Sequence, residues 1–410
     1  MRSIWLGLGA MVLAACGGGP RPQASEWQKP APGEYLSAGA AASRVQAAFA
    51  GPVAILVWTE DQQLYRAEDT GSGFSTPEAM NAPGTRVYAY ALAASRMGQA
   101  VLVWREDSRI EVALRSASGW APTINLGLGE GPRLAAAIDN YGSGWLARQV
   151  KVGSEHRVRV SHWDGQSWNP SFETPAGSTA SSPSLAAYRR RALLAWAEPS
   201  GGSAVWASLF DGGWKAPKRF ALGFTNGNPM AALGDAGAAV AWRTTDPAPG
   251  AVGSALARER SGSWETSVIG SGASEAKLAS LPQSLLAVWQ QRQSGVSAIF
   301  AKHYRQTPAQ DRVLSLPGLK AEHPGLAAFQ DQALVAWVQD LPGGGRGILA
   351  AELGPRGWRL PTPDDVLSPA GGAVLNKTPA VALGVGGRAL VAWIQRDATG
   401  VPRVYLARRR

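Results

Sequence analysis

The strongest constraint on this chain is a tryptophan that keeps returning at the end of a short apolar run. It stands at Trp58, Trp104, Trp196, Trp242, Trp289, Trp337 and Trp393, each preceded by small aliphatic residues such as Ala54-Ile55-Leu56-Val57 or Ala389-Leu390-Val391-Ala392. Arg148 holds the same slot in a further copy, and successive slots then lie 44 to 56 residues apart. Eight copies at that period indicate a repeat array rather than a series of unrelated domains.

One unit reads most clearly from Pro183 to Pro217. It holds four short runs: Pro183–Ala187, Leu193–Trp196, Ala204–Leu209 and Trp214–Pro217, separated by Arg189–Arg191, by Glu198–Gly202 and by a Gly turn. Runs of this length between turn residues predict strands, and none has helical spacing over ten residues. The second run is apolar at consecutive positions, as in a strand covered on both faces. The first is small, as in Leu134-Ala135-Ala136 and Leu326-Ala327-Ala328, which suits strands converging on a central axis. Pro132, Pro183, Pro229, Pro324 and Pro379 lie just before these runs, where no ladder donor is lost. The fourth run pairs an aromatic with Pro, as at Phe74 and Pro77 or Trp120 and Pro122, which marks an outer edge.

The pattern predicts an all-β chain, an eight-bladed β-propeller of four-stranded antiparallel blades. The last copy ends at Arg410 after its third run, while Trp27-Gln28-Lys29-Pro30 repeats the Trp-x-x-Pro form of Trp214 to Pro217. Residues of about 24–36 are therefore expected to close the ring as the outer strand of blade eight, which removes free edges. The propeller is expected to span 24–410.

The single cysteine excludes an intramolecular disulfide. It follows a basic Arg2 and an apolar stretch, Ile4 to Ala15, too short to cross a bilayer. Leu13-Ala14-Ala15-Cys16 resembles a bacterial lipobox. The resemblance implies a signal peptide over 1–15, lipidation of Cys16 with stable anchoring to the membrane through a diacylglycerol, and a Gly/Pro tether over 16–23. The implied location is the cell envelope, the outer membrane in a Gram-negative cell. The net charge of +10 comes mostly from scattered Arg, dense only at Arg189–Arg191 and Arg408–Arg410. It suits attraction to anionic surfaces, but scattered solvated Arg is the favoured explanation because only those two runs are dense. Nucleic acid is not an expected partner, and the chain is expected to be a monomer.

No Gly-x-Ser-x-Gly elbow, phosphate loop or dinucleotide fingerprint is present. His156, His162, His303 and His323 have no metal-ligand spacing, so no metal and no cofactor is expected. Ser161 to Trp168 and Phe210 to Trp214 resemble the Ser-x-Asp-x-Gly-x-x-Trp turn of sialidase-type propellers, although Asp164 stands one residue out of register. The blade number and anchor are also similar to the propeller lipoprotein of the outer-membrane protein assembly machine. No catalytic set is recognised, and the expectation is that the chain is not an enzyme. It is read as a lipid-anchored binding or scaffold protein for an envelope protein or polysaccharide; the alternative is a carbohydrate-binding propeller, lectin-like or degenerate sialidase-like. The candidate binding residues follow the recurring Trp: Glu60, Asp61, Glu106, Asp107, Glu198, Asp246, Gln339, Asp340, Gln395 and Asp397, with Gln291 at the same place. As neighbours on the turns between second and third strands they would ring one mouth of the channel. Turn chemistry alone also favours such residues. The long loop from Pro363 to Asn376 is expected to overhang that mouth.

Overall fold

A computed structural model describes residues 27–410 other than 38, 200–202, 221–225, 246–251, 261 and 305–309. The expected signal peptide and tether, with Cys16 and the first residues of the expected closing segment, lie outside the described residues. Eight antiparallel sheets follow one another around a ring, each in simple meander order. Blade 4, for example, consists of Ser181–Tyr188, Arg191–Glu198, Ala204–Asp211 and Lys218–Phe220 from the axis outward. Blade 2 gains a further short outer strand, Ile124–Leu128, beside its third. Inner strands of successive blades pack side by side, and Ala42–Ala50 of blade 1 meets Ala380–Leu383 of blade 8.

The ring closes where the sequence places the seam. The third strand of blade 8, Pro402–Arg409, takes a bridge from Gln28, with Gln28 N donating to Arg408 O at 2.8 Å and Arg408 N to Gln28 O at 3.1 Å. Further along, Leu36 N donates to Val404 O at 2.9 Å. Trp27 packs against the hydrophobic cluster that holds Trp393 and Tyr405, with the Arg409 guanidinium 5.5 Å from its ring centre. Asp69 of blade 1 and Arg408 pair at 2.8 Å across the other side of the seam.

Second strands carry the core. Val53–Glu60 is buried at every position, and Trp58, Trp104, Trp145, Trp196, Trp242, Trp289, Trp337 and Trp393 are all but fully enclosed. Blade 3 departs from the rest. Arg148 fills its Trp slot, buried, with Nη2 donating to Leu126 O at 3.0 Å. Burial, then the nearby Arg159, lower it to about 10. Trp145, three residues earlier, supplies the aromatic bulk and stacks on His162 at 4.8 Å.

Opposite the Trp, the inner strand bulges. Ser182-Pro183, Asn228-Pro229, Glu275-Ala276 and His323-Pro324 face Trp196, Trp242, Trp289 and Trp337, two residues against one. Ser182, Asn228, Glu275 and His323 have φ of 51°, 51°, 53° and 59°, the left-handed first residue of such a bulge. Pro183, Pro229 and Pro324 thus lie inside their strands rather than before them. A bulge leaves a residue outside the ladder, so the missing N–H costs nothing there.

Candidate functional site

The residues after the recurring Trp are committed to the frame. In a strand, residues i and i+2 share a face, so the side chain two positions after the Trp sits beside its indole. The indole N–H donates to Glu60 at 2.6 Å, Glu106 at 3.3 Å, Glu198 at 3.3 Å, Gln291 at 2.8 Å, Gln339 at 2.8 Å and Gln395 at 3.1 Å. Glu60, Gln339 and Gln395 are buried. The Gln339 amide also donates to Leu316 O and Leu319 O, and that of Gln395 to Pro369 O. These groups join one blade to its own connecting loop.

The other predicted site residues divide. Asp61 and Asp107 are exposed turn residues with φ of 44° and 50°. Asp340 accepts from Arg346 Nε at 3.2 Å. Asp397 closes the last hairpin, accepting from the Thr399 hydroxyl, the Val401 N–H and Arg403, and these bonds hold its carboxyl well below the usual range. Asp246 lies outside the described residues. The turns sit one and a half strand spacings outside the inner strand, roughly 7 Å further from the axis, so they surround the mouth without lining it. The Pro363–Asn376 loop likewise packs inward, burying Leu367 and Val374 against Trp393.

The turns that resemble sialidase repeats are also structural. Asp164 accepts the N–H groups of Gln166 at 2.8 Å and Ser167 at 2.9 Å. The in-register copy is Asp69-Thr70-Gly71-Ser72-Gly73-Phe74, with Phe in place of the Trp. Asp69 accepts from Gly71 N at 2.7 Å and Gly73 N at 3.0 Å.

What lines the channel are the two ends of the inner strands. At the end carrying the first turns, all eight blades enclose a cavity of about 560 Å³. Its walls are small and apolar, as at Ala47, Ala187 and Ala327, and its rim holds Phe49, Arg96, Tyr188, Arg189, Asp235 and Phe329. Asp235 accepts from the Tyr188 hydroxyl at 2.7 Å and from Arg189 at 2.9 Å, and the Arg189 guanidinium lies 5.0 Å from the Tyr188 ring centre. Burial, then Asp235, push the Tyr188 phenol up. The size falls within the range of ligand pockets, and so does the mix of apolar wall with a few polar groups.

The opposite end, where the inner strands begin, encloses about 630 Å³ among Arg133, Asn228, Arg243, Lys277, His323 and Lys377, with Glu275 beside them. His323 Nδ1 and Glu275 are 3.0 Å apart; that bond, and the Glu275 charge, raise His323 above its usual value. The sequence signal for this end was the bulge residue before each inner-strand Pro, which resembled ordinary turn punctuation.

No protein-family model and no curated sequence matches the chain. Among solved structures it is similar to a prolyl endopeptidase, at 14% identity and a TM-score of 0.53, over 88% of this chain and 54% of that one. The chain thus spans about half the length of that protein. It is also similar to a polysaccharide lyase (8%, TM-score 0.49, 83% and 93%) and to the Trypanosoma rangeli sialidase (9%, TM-score 0.41, 92% and 72%). Lectin propellers match as well. At these identities the likeness is one of fold. One expectation is corrected, that the chain is not an enzyme: the neighbour with a TM-score of 0.53 is an endopeptidase, and a sequence without a familiar motif gives no ground to exclude catalysis.

Proposed function

We propose that this propeller binds a carbohydrate segment at the mouth that carries the first turns and works in the cell envelope, held to lipid through Cys16. The observation that carries the reading is the composition of the rim: half-exposed Phe49, Tyr188 and Phe329 stand among Arg189, Asp235 and Gln330 around an apolar well of about 560 Å³. Aromatic faces offer apolar area to the C–H face of a sugar ring, while planar polar side chains take its hydroxyl groups. Small Ala walls leave the well open for an inserted ring.

A glycan array comparing the wild type with a Phe49→Ala/Tyr188→Ala variant tests the binding. Specific glycans retained by the wild type and lost in the variant support it; an empty array, or equal binding by both, contradicts it. The anchor is tested separately. Labelled palmitate should enter the wild type and not Cys16→Ala, and the variant should move to the soluble fraction. Incorporation unaffected by the substitution contradicts it.

A further inference from the structure

We propose that the other end of the channel is an anion-binding site for a ligand carrying two or more carboxylate groups, held by Arg133, Lys277, Lys377 and Arg44. This site lies at the opposite end from the carbohydrate site and does not depend on it. The four cations come from blades 3, 6, 8 and 1, far apart in sequence, and the ring brings them to one opening. Arg133, Lys277 and Lys377 line the same cavity of about 630 Å³. Arg44 stands at the start of the blade 1 inner strand, its Nη1 donating to Tyr88 O at 3.3 Å in blade 2. Lys377 donates to Ser43 O at 2.7 Å, which places it beside Arg44.

Among the described residues none of these four cations forms an ion pair within 4 Å. Several buried or half-buried arginines elsewhere are paired, Arg115 with Glu68, Arg157 with Glu155 and Glu173, and Arg409 with Glu352, while Arg148 in blade 3 is held by a backbone carbonyl instead. Among the described residues the one carboxylate lining this cavity, Glu275, is engaged by His323. The cations also feel one another. Burial, and after it Arg44, lower both Arg133 and Lys377, while burial lowers Lys277 against the pull of Glu275 and with the push of Arg133.

Like charges gathered in a confined opening repel, and a polyanion in their midst removes that repulsion. Low-dielectric walls around one sign of charge also focus the field on the opening. The bulges contribute geometry: each extra residue swings the start of its strand, so that Lys277 resumes the ladder directly after Glu275-Ala276. Carboxylates suit the mixed lysine and arginine set, because arginine takes two oxygens side by side and lysine a single one.

Isothermal titration with citrate and with trigalacturonate tests the site, the first probe being a free polycarboxylate and the second the same groups on a sugar chain. At least one should bind. Arg133→Gln/Lys277→Met should weaken that binding by more than about tenfold, whereas Lys215→Gln, an exposed lysine on an outer edge, leaves it unchanged. Citrate binding alone identifies a small free acid, and trigalacturonate alone an acidic polymer; both support the site. Lys377→Gln, an exposed position, repeats the test should the double variant fail to fold. No binding of either probe at millimolar concentration, binding that survives these substitutions in folded protein, or equal loss with Lys215→Gln overturns the proposal. Tyr188→Ala leaves this binding intact, so a failure at the Tyr188 mouth is read separately.

Discussion

The tryptophan layer and the channel mouths use the same kinds of polar residue to opposite ends. In the layer, Glu60, Gln339 and Gln395 are buried and their oxygens take an indole N–H two residues back. At one mouth Arg133, Lys277 and Lys377 face a cavity, and among the described residues none of the three forms an ion pair within 4 Å. Recurrence therefore does not identify a binding group. A polar side chain that recurs in six blades is more simply explained by something that recurs with it, here the Trp whose indole it accepts from. Capacity left over after the frame is satisfied is what marks a site.

The contrast can be broken from the side of the frame first. Trp337→Ala removes a fully buried side chain from a closely packed sheet interface, and the expected loss of stability is roughly 3–5 kcal/mol, read by denaturant unfolding. A loss below 1 kcal/mol would show the layer to be loosely packed. Gln339→Ala comes next. It strands the Trp337 indole N–H and two carbonyls, Leu316 O and Leu319 O, and the expected cost is about 1–3 kcal/mol. Ligand binding at either mouth should be unchanged in this variant.

The seam gives a smaller, pH-dependent effect. Burial pushes the Asp69 carboxyl up, but Gly71 N–H, Gly73 N–H and Arg408 together bring it below its ordinary 3.8. A carboxyl lowered in the folded state stabilises above its unfolded value, and that contribution disappears as pH falls through the folded value. Asp69→Asn should therefore lower the melting temperature at neutral pH and show a flatter acid limb below about pH 4. Parallel acid limbs in the two proteins would remove Asp69 from the closure. Smallest of all should be the effect of Tyr188→Ala on stability, within about 0.5 kcal/mol for a rim residue, even as glycan binding is lost.

Much of the architecture was legible because the period is carried by the largest side chain in the chain. A Trp after four small aliphatic residues marks the second strand of every blade but the third, and even there Arg148 keeps the spacing. The closing segment was legible from Trp27 and Pro30, because the outer strand has its own signature. The site was less legible, for two reasons. The inner strands read as Ala-rich filler, since their role is to leave room. The bulges opposite the Trp depend on pairing between strands, two residues against one, and a single strand's sequence does not display it. The polar residues after the Trp were ambiguous in the sequence, because Glu and Gln at i+2 from a Trp suit both a turn and an indole.

The most direct test is where a bound ligand sits. A crystal structure with a glycan retained on the array, or with citrate, should show it inside the channel: the sugar against Phe49 and Tyr188, the citrate between Arg133 and Lys277. Density seated instead on the turns at Glu106, Asp107 and Glu198, with the indole bonds of Trp104 and Trp196 released to reach it, would contradict the account.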